Sequence, residues 1–202
     1  MTQNAAVSGY GRVRWRRFAV IIMPALAVAI VLVVLTAQSV LAVSFAISGI
    51  PFTVTASQLN GQGFEQFGVL DHSITKDLPG NTNQIVLAAS AIRSAQLSHL
   101  CLSVAIGFAT LKITAGDSSD VTGSDLVIDA DRLSGGSATF TKMAIGQDAS
   151  TVTQVPGVRG PAGDFALDSQ TVAITDLRTH AYATTAGTFT LPGLNLRFGS
   201  PC

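Results

Sequence analysis

The sequence predicts an all-β extracellular domain at 44–202, held behind one N-terminal transmembrane helix at 18–43. Three observations predict it. An apolar run stands near the start, period-2 alternation replaces it after Ser44, and eleven of the twelve acids are Asp, with Glu65 the only Glu. Asp suits turns and Glu suits helices, so the bias favours strands and loops.

Residues 1–17 form a basic tail, polar and small up to Gly11 and then RVRWRR. Arg12, Arg14, Arg16 and Arg17 precede the apolar run, and no Lys or Arg follows until Lys76. That asymmetry places the N-terminus in the cytoplasm and the rest outside, with Trp15 at the headgroup level. From Phe18 to Leu35 no side chain is charged or strongly polar. As a helix this stretch is about 27 Å long, close to a bilayer's hydrocarbon thickness. Its length favours an uncleaved signal anchor. The alternative is a signal peptide cleaved after Val40-Leu41-Ala42, which would release the domain.

Beyond the run, 159 residues are enough for one core. They carry eight bases against twelve acids, a net charge of −4 hidden by the neutral whole. A mildly acidic domain has no electrostatic footprint for nucleic acid. Phe52, Val54 and Ala56 alternate with Thr53 and Thr55, and Leu102, Val104, Ile106 and Phe108 with Ser103, Ala105 and Gly107. Shorter runs repeat the theme at 111–113, 126–128, 165–167 and 189–191. Clusters of Gly, Pro, Asn and Asp at 79–83, 116–125, 156–164 and 192–195 read as turns.

Four stretches align without gaps, FTVTASQLNGQGF from Phe52, IVLAASAIRSAQL from Ile85, LVIDADRLSGGSA from Leu126 and FALDSQTVAITDL from Phe165. A recurrence near 40 residues suggests stacked units. The geometry is either β-solenoid-like or a long twisted antiparallel sheet of repeated strand pairs. An Ala-dense helix at 85–99 competes with the strand reading there.

Cys101 and Cys202 are the two cysteines. In an exported domain they are expected to form one disulfide, and two free thiols are the alternative. The best metal candidate is DSSDVTGSDLVIDAD at 117–131, where Asp117, Asp120 and Asp125, with Asp129 and Asp131, would offer oxygens to calcium. Its spacing fits no EF-hand, and turn-capping aspartates explain it as well. No Gly-x-Ser-x-Gly elbow, phosphate-cradling Gly-Lys-Ser/Thr or dinucleotide fingerprint occurs, so no cofactor is expected. His72, His99 and His180 stand in no recognisable nucleophile pattern.

The phrases PFTVTASQLNGQGFEQFG, HLCLSV, LVIDADRLSGGSATF, IGQDAS and TAGTFTLPGLNLRFGSPC, with the basic-then-apolar start, resemble a family of uncharacterised exported, membrane-anchored proteins of filamentous actinobacteria. Some of its members are labelled cholesterol esterase. The resemblance spans nearly the whole chain and implies export, a single anchor and pairing of Cys101 with Cys202. It also implies a small multi-pass membrane protein as partner. The esterase label brings no catalytic residue with it, because no esterase nucleophile motif stands at any position.

The expected function is therefore a non-catalytic cell-envelope protein. It touches membrane lipid through its helix and binds a partner or builds surface structure outside. A lipid or sterol carrier with an apolar groove between strands is the alternative, and an esterase of lipid or sterol esters the third reading. Oligomeric state is not legible.

Overall fold

The computed structural model describes residues 22–23, 46–47, 49–73 and 84–202. The expected basic tail with Arg12, Arg14, Arg16 and Arg17 lies outside these residues. So does the expected transmembrane segment, apart from Ile22 and Met23, which are helical. Among the described residues no helix is long and apolar enough to cross a membrane. The described residues from Ala46 onward form one all-β sheet, antiparallel apart from a single two-residue pair.

Two long antiparallel pairs build it. In the first, β2 (Phe52–Ser73) runs against β3 (Gln84–Ser98) and β4 (Leu100–Ile106). Phe52 lies opposite Val104, Gln58 opposite Ser98 and His72 opposite Gln84, one constant register throughout. β3 and β4 are thus a single strand interrupted at His99. A two-residue turn at Gly107 (φ +59°) and Phe108 then leads into β5 (Ala109–Ala115). A two-residue strand, β1 (Ala46–Ile47), pairs in parallel with the end of β2.

In the second pair, β6 (Val121–Ser134), β7 (Ser137–Thr141) and β8 (Ala144–Asp148) run in turn along β9 (Phe165–Thr185) and β10 (Thr188–Thr190). Thr188 faces Ser124, Ser137 faces Thr175 and Ala144 faces Asp168. The breaks fall where an extended strand is hard to continue, at Gly135-Gly136 and at Lys142 (φ +50°). β11 (Asn195–Phe198) returns to pair with β5. β3 joins the two pairs through β6, and the start of β2 pairs with β9, Phe52 against Ala181 and Ala56 against Leu177. The ladders β2–β3–β6–β9 therefore close on themselves, leaving β4, β5 and β11 as a side branch.

The four aligned sequence stretches lie in β2, β3, β6 and β9, the strands of this ring. Their recurrence reflects strand length, not stacked coils. A solenoid needs parallel coils, whereas every ladder among these strands is antiparallel, so the antiparallel alternative is the one observed. The Ala-dense stretch at 85–99 is strand up to Ser98, paired on both edges by β2 and β6, so ladder bonds override Ala's helix preference.

Two rows of kinks bend the sheet. In one, Gly63 (φ +66°) lies across from Arg93, and Arg93 across from Asp125 (φ +47°). In the other, His99 (φ +51°) interrupts β3 and β4, and Asp176 (φ +48°) precedes Leu177, the first β9 residue that pairs with β2. A positive φ inside a strand turns two successive side chains toward one face. The buried set changes phase accordingly. The main core takes Ala56, then Leu59, then Phe64 from β2; Leu100, then Leu97 and Ala95, then Ile92 from the facing strand; and Val121, then Leu126 and Ile128 from β6. Neighbouring strands kink together, so the register survives.

A second cluster fills the opposite side. Phe67, Ala89, Ala91, Val127 and Ala166 are covered by Ala149, Val152, Val155 and Val158 of the loop between β8 and β9. Asp148 pins this loop, its carboxylate accepting bonds from Ser150 N (2.9 Å), Ser150 Oγ (2.7 Å) and Gly163 N (2.9 Å). The stretch expected to be a simple turn at 156–164 is thus part of a lid with its own buried valines. Gly160 lies so close to Phe67 that a Cβ there would come within 2.7 Å of the ring.

Candidate functional site: a cationic cleft beside the disulfide

Residues directly opposite in an antiparallel ladder project to the same face. One row crosses six strands in the order Arg197, Lys112, Ser103, Thr53, His180, Arg132. Two positions along lies a second row, Asn195, Thr114, Cys101, Thr55, Arg178, Ser134. One face therefore gathers four of the domain's eight bases although the domain is acidic.

The middle of that face is a cleft of about 470 Å³, lined by Thr53, Asp131, Arg132, Ser134, Arg178, Thr179 and His180. A smaller hollow of about 200 Å³ adjoins it and shares Asp131 and Arg132. The register of β6 against β9 shifts between Ala130 and Arg132, which leaves Asp131 unpaired in the ladder. Its carboxylate turns to His180 Nδ1 at 2.7 Å, and Tyr182 meets the imidazole edge-on, with ring centroids 5.7 Å apart. Thr179 is buried and its hydroxyl donates to the Arg132 carbonyl (3.0 Å), fixing the backbone between the two arginines. Ser134 Oγ donates to the Arg178 carbonyl (3.2 Å). Among the described residues the Arg132 side chain has no hydrogen-bond or ion-pair partner.

The disulfide forms the rim. Cys101 and Cys202 are bonded, as expected for an exported domain, and no described cysteine is free. The bond lays the C-terminal residues over this face. Cys202 N donates to Ser103 Oγ (3.1 Å), and Arg178 Nη1 donates to the Cys202 carbonyl (3.2 Å). Ser103 is buried under this cover. With two guanidinium groups, the Thr53 hydroxyl and an imidazole that engages the one lining carboxylate, the cleft can hold an oxyanion.

The other sequence candidates do not converge. Asp117, Asp120 and Asp125 are exposed; Asp120 accepts a bond from Ser98 Oγ (2.7 Å), and Asp125 holds a kink. Among the described residues no three His, Cys, Asp or Glu side chains gather as a metal site. Asp131, read with the calcium acids, is instead the partner of His180. His99 Nδ1 meets Ser57 Oγ at 3.0 Å, and His72 Nε2 meets Gln84 Nε2 at 3.5 Å. Among the described residues no run of hydrogen bonds joins a serine, a histidine and a carboxylate.

Three buried acids, Glu65, Asp71 and Asp129, are not among the residues that line the cleft. Glu65 is fully enclosed in the second cluster. Burial pushes its carboxyl up to about 7, against the pull of the Val155 and Gln154 backbone amides. Val155 N donates to Oε2 (3.2 Å), while Oε1 has no partner. Asp129 is likewise pushed up to about 7, by burial and then by the neighbouring Asp71 charge. Asp71 is raised too, chiefly by burial. Both Asp71 oxygens and Asp129 Oδ1 lack a hydrogen-bond partner.

Sequence reasoning missed Arg132 and Arg178 because 46 residues separate them. Only the β6–β9 register brings Ser134 opposite Arg178 and Arg132 opposite His180. The one available signal was the DADR run, where a base follows two acids.

A family model described as a family of unknown function, DUF6230, matches residues 48–202. No curated protein matches the chain, and no solved structure matches it.

Proposed function

We propose that this chain, which belongs to the DUF6230 family of unknown function, is a non-catalytic cell-envelope protein. An N-terminal helix at 18–43 anchors it in the cytoplasmic membrane. The β domain at 44–202 stands outside and binds a ligand or partner through the cleft beside its disulfide. A multi-pass membrane protein is a candidate neighbour. The observation that carries this reading is the Cys101–Cys202 bond, because such bonds persist in oxidising compartments and are rare in cytosol. The four arginines before the apolar run support the same orientation. The two buried clusters, whose apolar strand faces meet each other or the loop lid, favour a polar ligand over an acyl chain or sterol.

The test is fractionation of expressing cells, with a membrane-impermeant thiol reagent applied before and after reduction. The expected result is full-length protein in the membrane fraction whose cysteines react from outside only after reduction. Recovery from cytosol with both thiols free would overturn the reading. So would hydrolysis of short-chain or sterol esters that one Ser→Ala change abolishes.

A further inference from the structure

We propose that the cleft between Arg132 and Arg178 is a binding site for phosphate groups. The inference rests on the reading of the β domain as a binding module and names the chemistry of its ligand.

Three features carry it. First, the donors surround the cleft rather than line one wall. Arg132 comes from β6, Arg178 and His180 from β9, and Thr53 from β2. A planar carboxylate is satisfied by one guanidinium fork; a tetrahedral oxyanion takes donors from several directions. Second, among the described residues Arg132 is a cation without a partner, while the Asp131 carboxylate that also lines the cleft is engaged by His180. Arg178 Nη1 donates to an oxygen of Cys202 (3.2 Å), and the remaining N–H groups of its fork have no other partner among the described residues. Third, the positive face continues. Lys112 and Arg197 stand directly opposite one another on β5 and β11, on the same face as the cleft. Like charges so placed destabilise a ladder, and an anion between them relieves the cost. Lys112 is three strand spacings from His180, about 14 Å along the sheet. A ligand carrying several phosphates therefore spans both places.

Titration calorimetry of the full-length oxidised chain in non-ionic detergent, with inorganic phosphate as probe, tests this. Acetate at equal ionic strength is the comparison. Phosphate is expected to bind and acetate not to compete. R132Q should weaken phosphate binding at least about tenfold, since it removes a charge-assisted contact. K142Q, on the β7–β8 turn, should leave it unchanged. Strand circular dichroism and non-reducing mobility check the fold of each variant. Should R132Q misfold, R132K keeps the charge without the fork and is expected to bind several-fold more weakly. Two further arms separate the sources of phosphate. Tighter binding of linear polyphosphate, lost in the K112Q/R197Q pair, points to a soluble polymer. Phosphate-sensitive pelleting with phosphatidylglycerol vesicles, but not phosphatidylcholine ones, points to a lipid headgroup. Phosphate binding no better than acetate, or equal in wild type, R132K and R178Q, overturns the proposal. These readings do not depend on where the protein resides, so they stay distinct from the fractionation result.

Discussion

Replacing Glu65 by Gln should remove a defined part of the protein's pH sensitivity. The carboxyl is shut inside the second cluster, with one oxygen on Val155 N and the other unpaired. Its proton is held up to about 7 in the fold against an ordinary 4.5. Between those values the folded chain keeps a proton that the unfolded chain has released. Stability therefore falls as pH rises through this window and levels off above it. A group with these two values makes folding about 2–3 kcal/mol less favourable at pH 8 than at pH 5, an upper bound for a fold that admits no water. Gln has nearly the same volume and still accepts from Val155, but never ionises. Its unpaired NH₂ adds a cost that is the same at both pH values, so the informative quantity is the slope. Urea unfolding of wild type and E65Q, followed by strand circular dichroism at the two pH values, measures it. E65Q should lose up to about 2–3 kcal/mol less than wild type on going from pH 5 to pH 8. The dependence that remains belongs to Asp129 and Asp71, which are raised in the same sense. Equal slopes in the two proteins would mean that Glu65 is hydrated in the native chain and that the lid does not seal it.

Reducing Cys101–Cys202 frees a loop closed across 101 positions, a loss of about 4–5 kcal/mol in the chain-entropy model, visible as a lowered denaturation midpoint in dithiothreitol. Gly61→Ala places a Cβ 2.8 Å from both Ile92 Cγ2 and Val172 Cγ1, so it should cost about 1–3 kcal/mol; an unchanged melting temperature would contradict the tight β2–β9 packing. Lys142→Gly relieves a left-handed residue at φ +50° in the β7–β8 turn and should stabilise by about 0.5–1 kcal/mol, read as slower exchange of the amides around it.

The strands were legible where alternation was clean. Phe52 to Ala56, Leu102 to Ile106 and Leu126 to Ile128 all lie in the strands expected of them. The disulfide was legible from cysteine count once export was assumed. The kinks were not. His99, Asp125 and Asp176 adopt positive φ because facing strands bend there together, and no local motif announces that. The lid was read as a turn because its valines are buried in a cluster that includes Phe67, Ala89 and Ala91, more than 60 residues away in sequence.

Local chemistry, then, settled what depends on neighbours along the chain: strand periodicity, turn residues, the charge asymmetry and the pair of thiols available to bond. Pairing of distant strands decided the rest. Which cations share a face is a matter of register, and a one-residue slip would send Arg132 and Arg178 to the other side of the sheet. The cleft exists because β6 meets β9 in one register and a bond at Cys101 lays the last residues across it. The register leaves no trace in the order of residues, since its partners meet only when the sheet closes, whereas the bond was legible in the two cysteines.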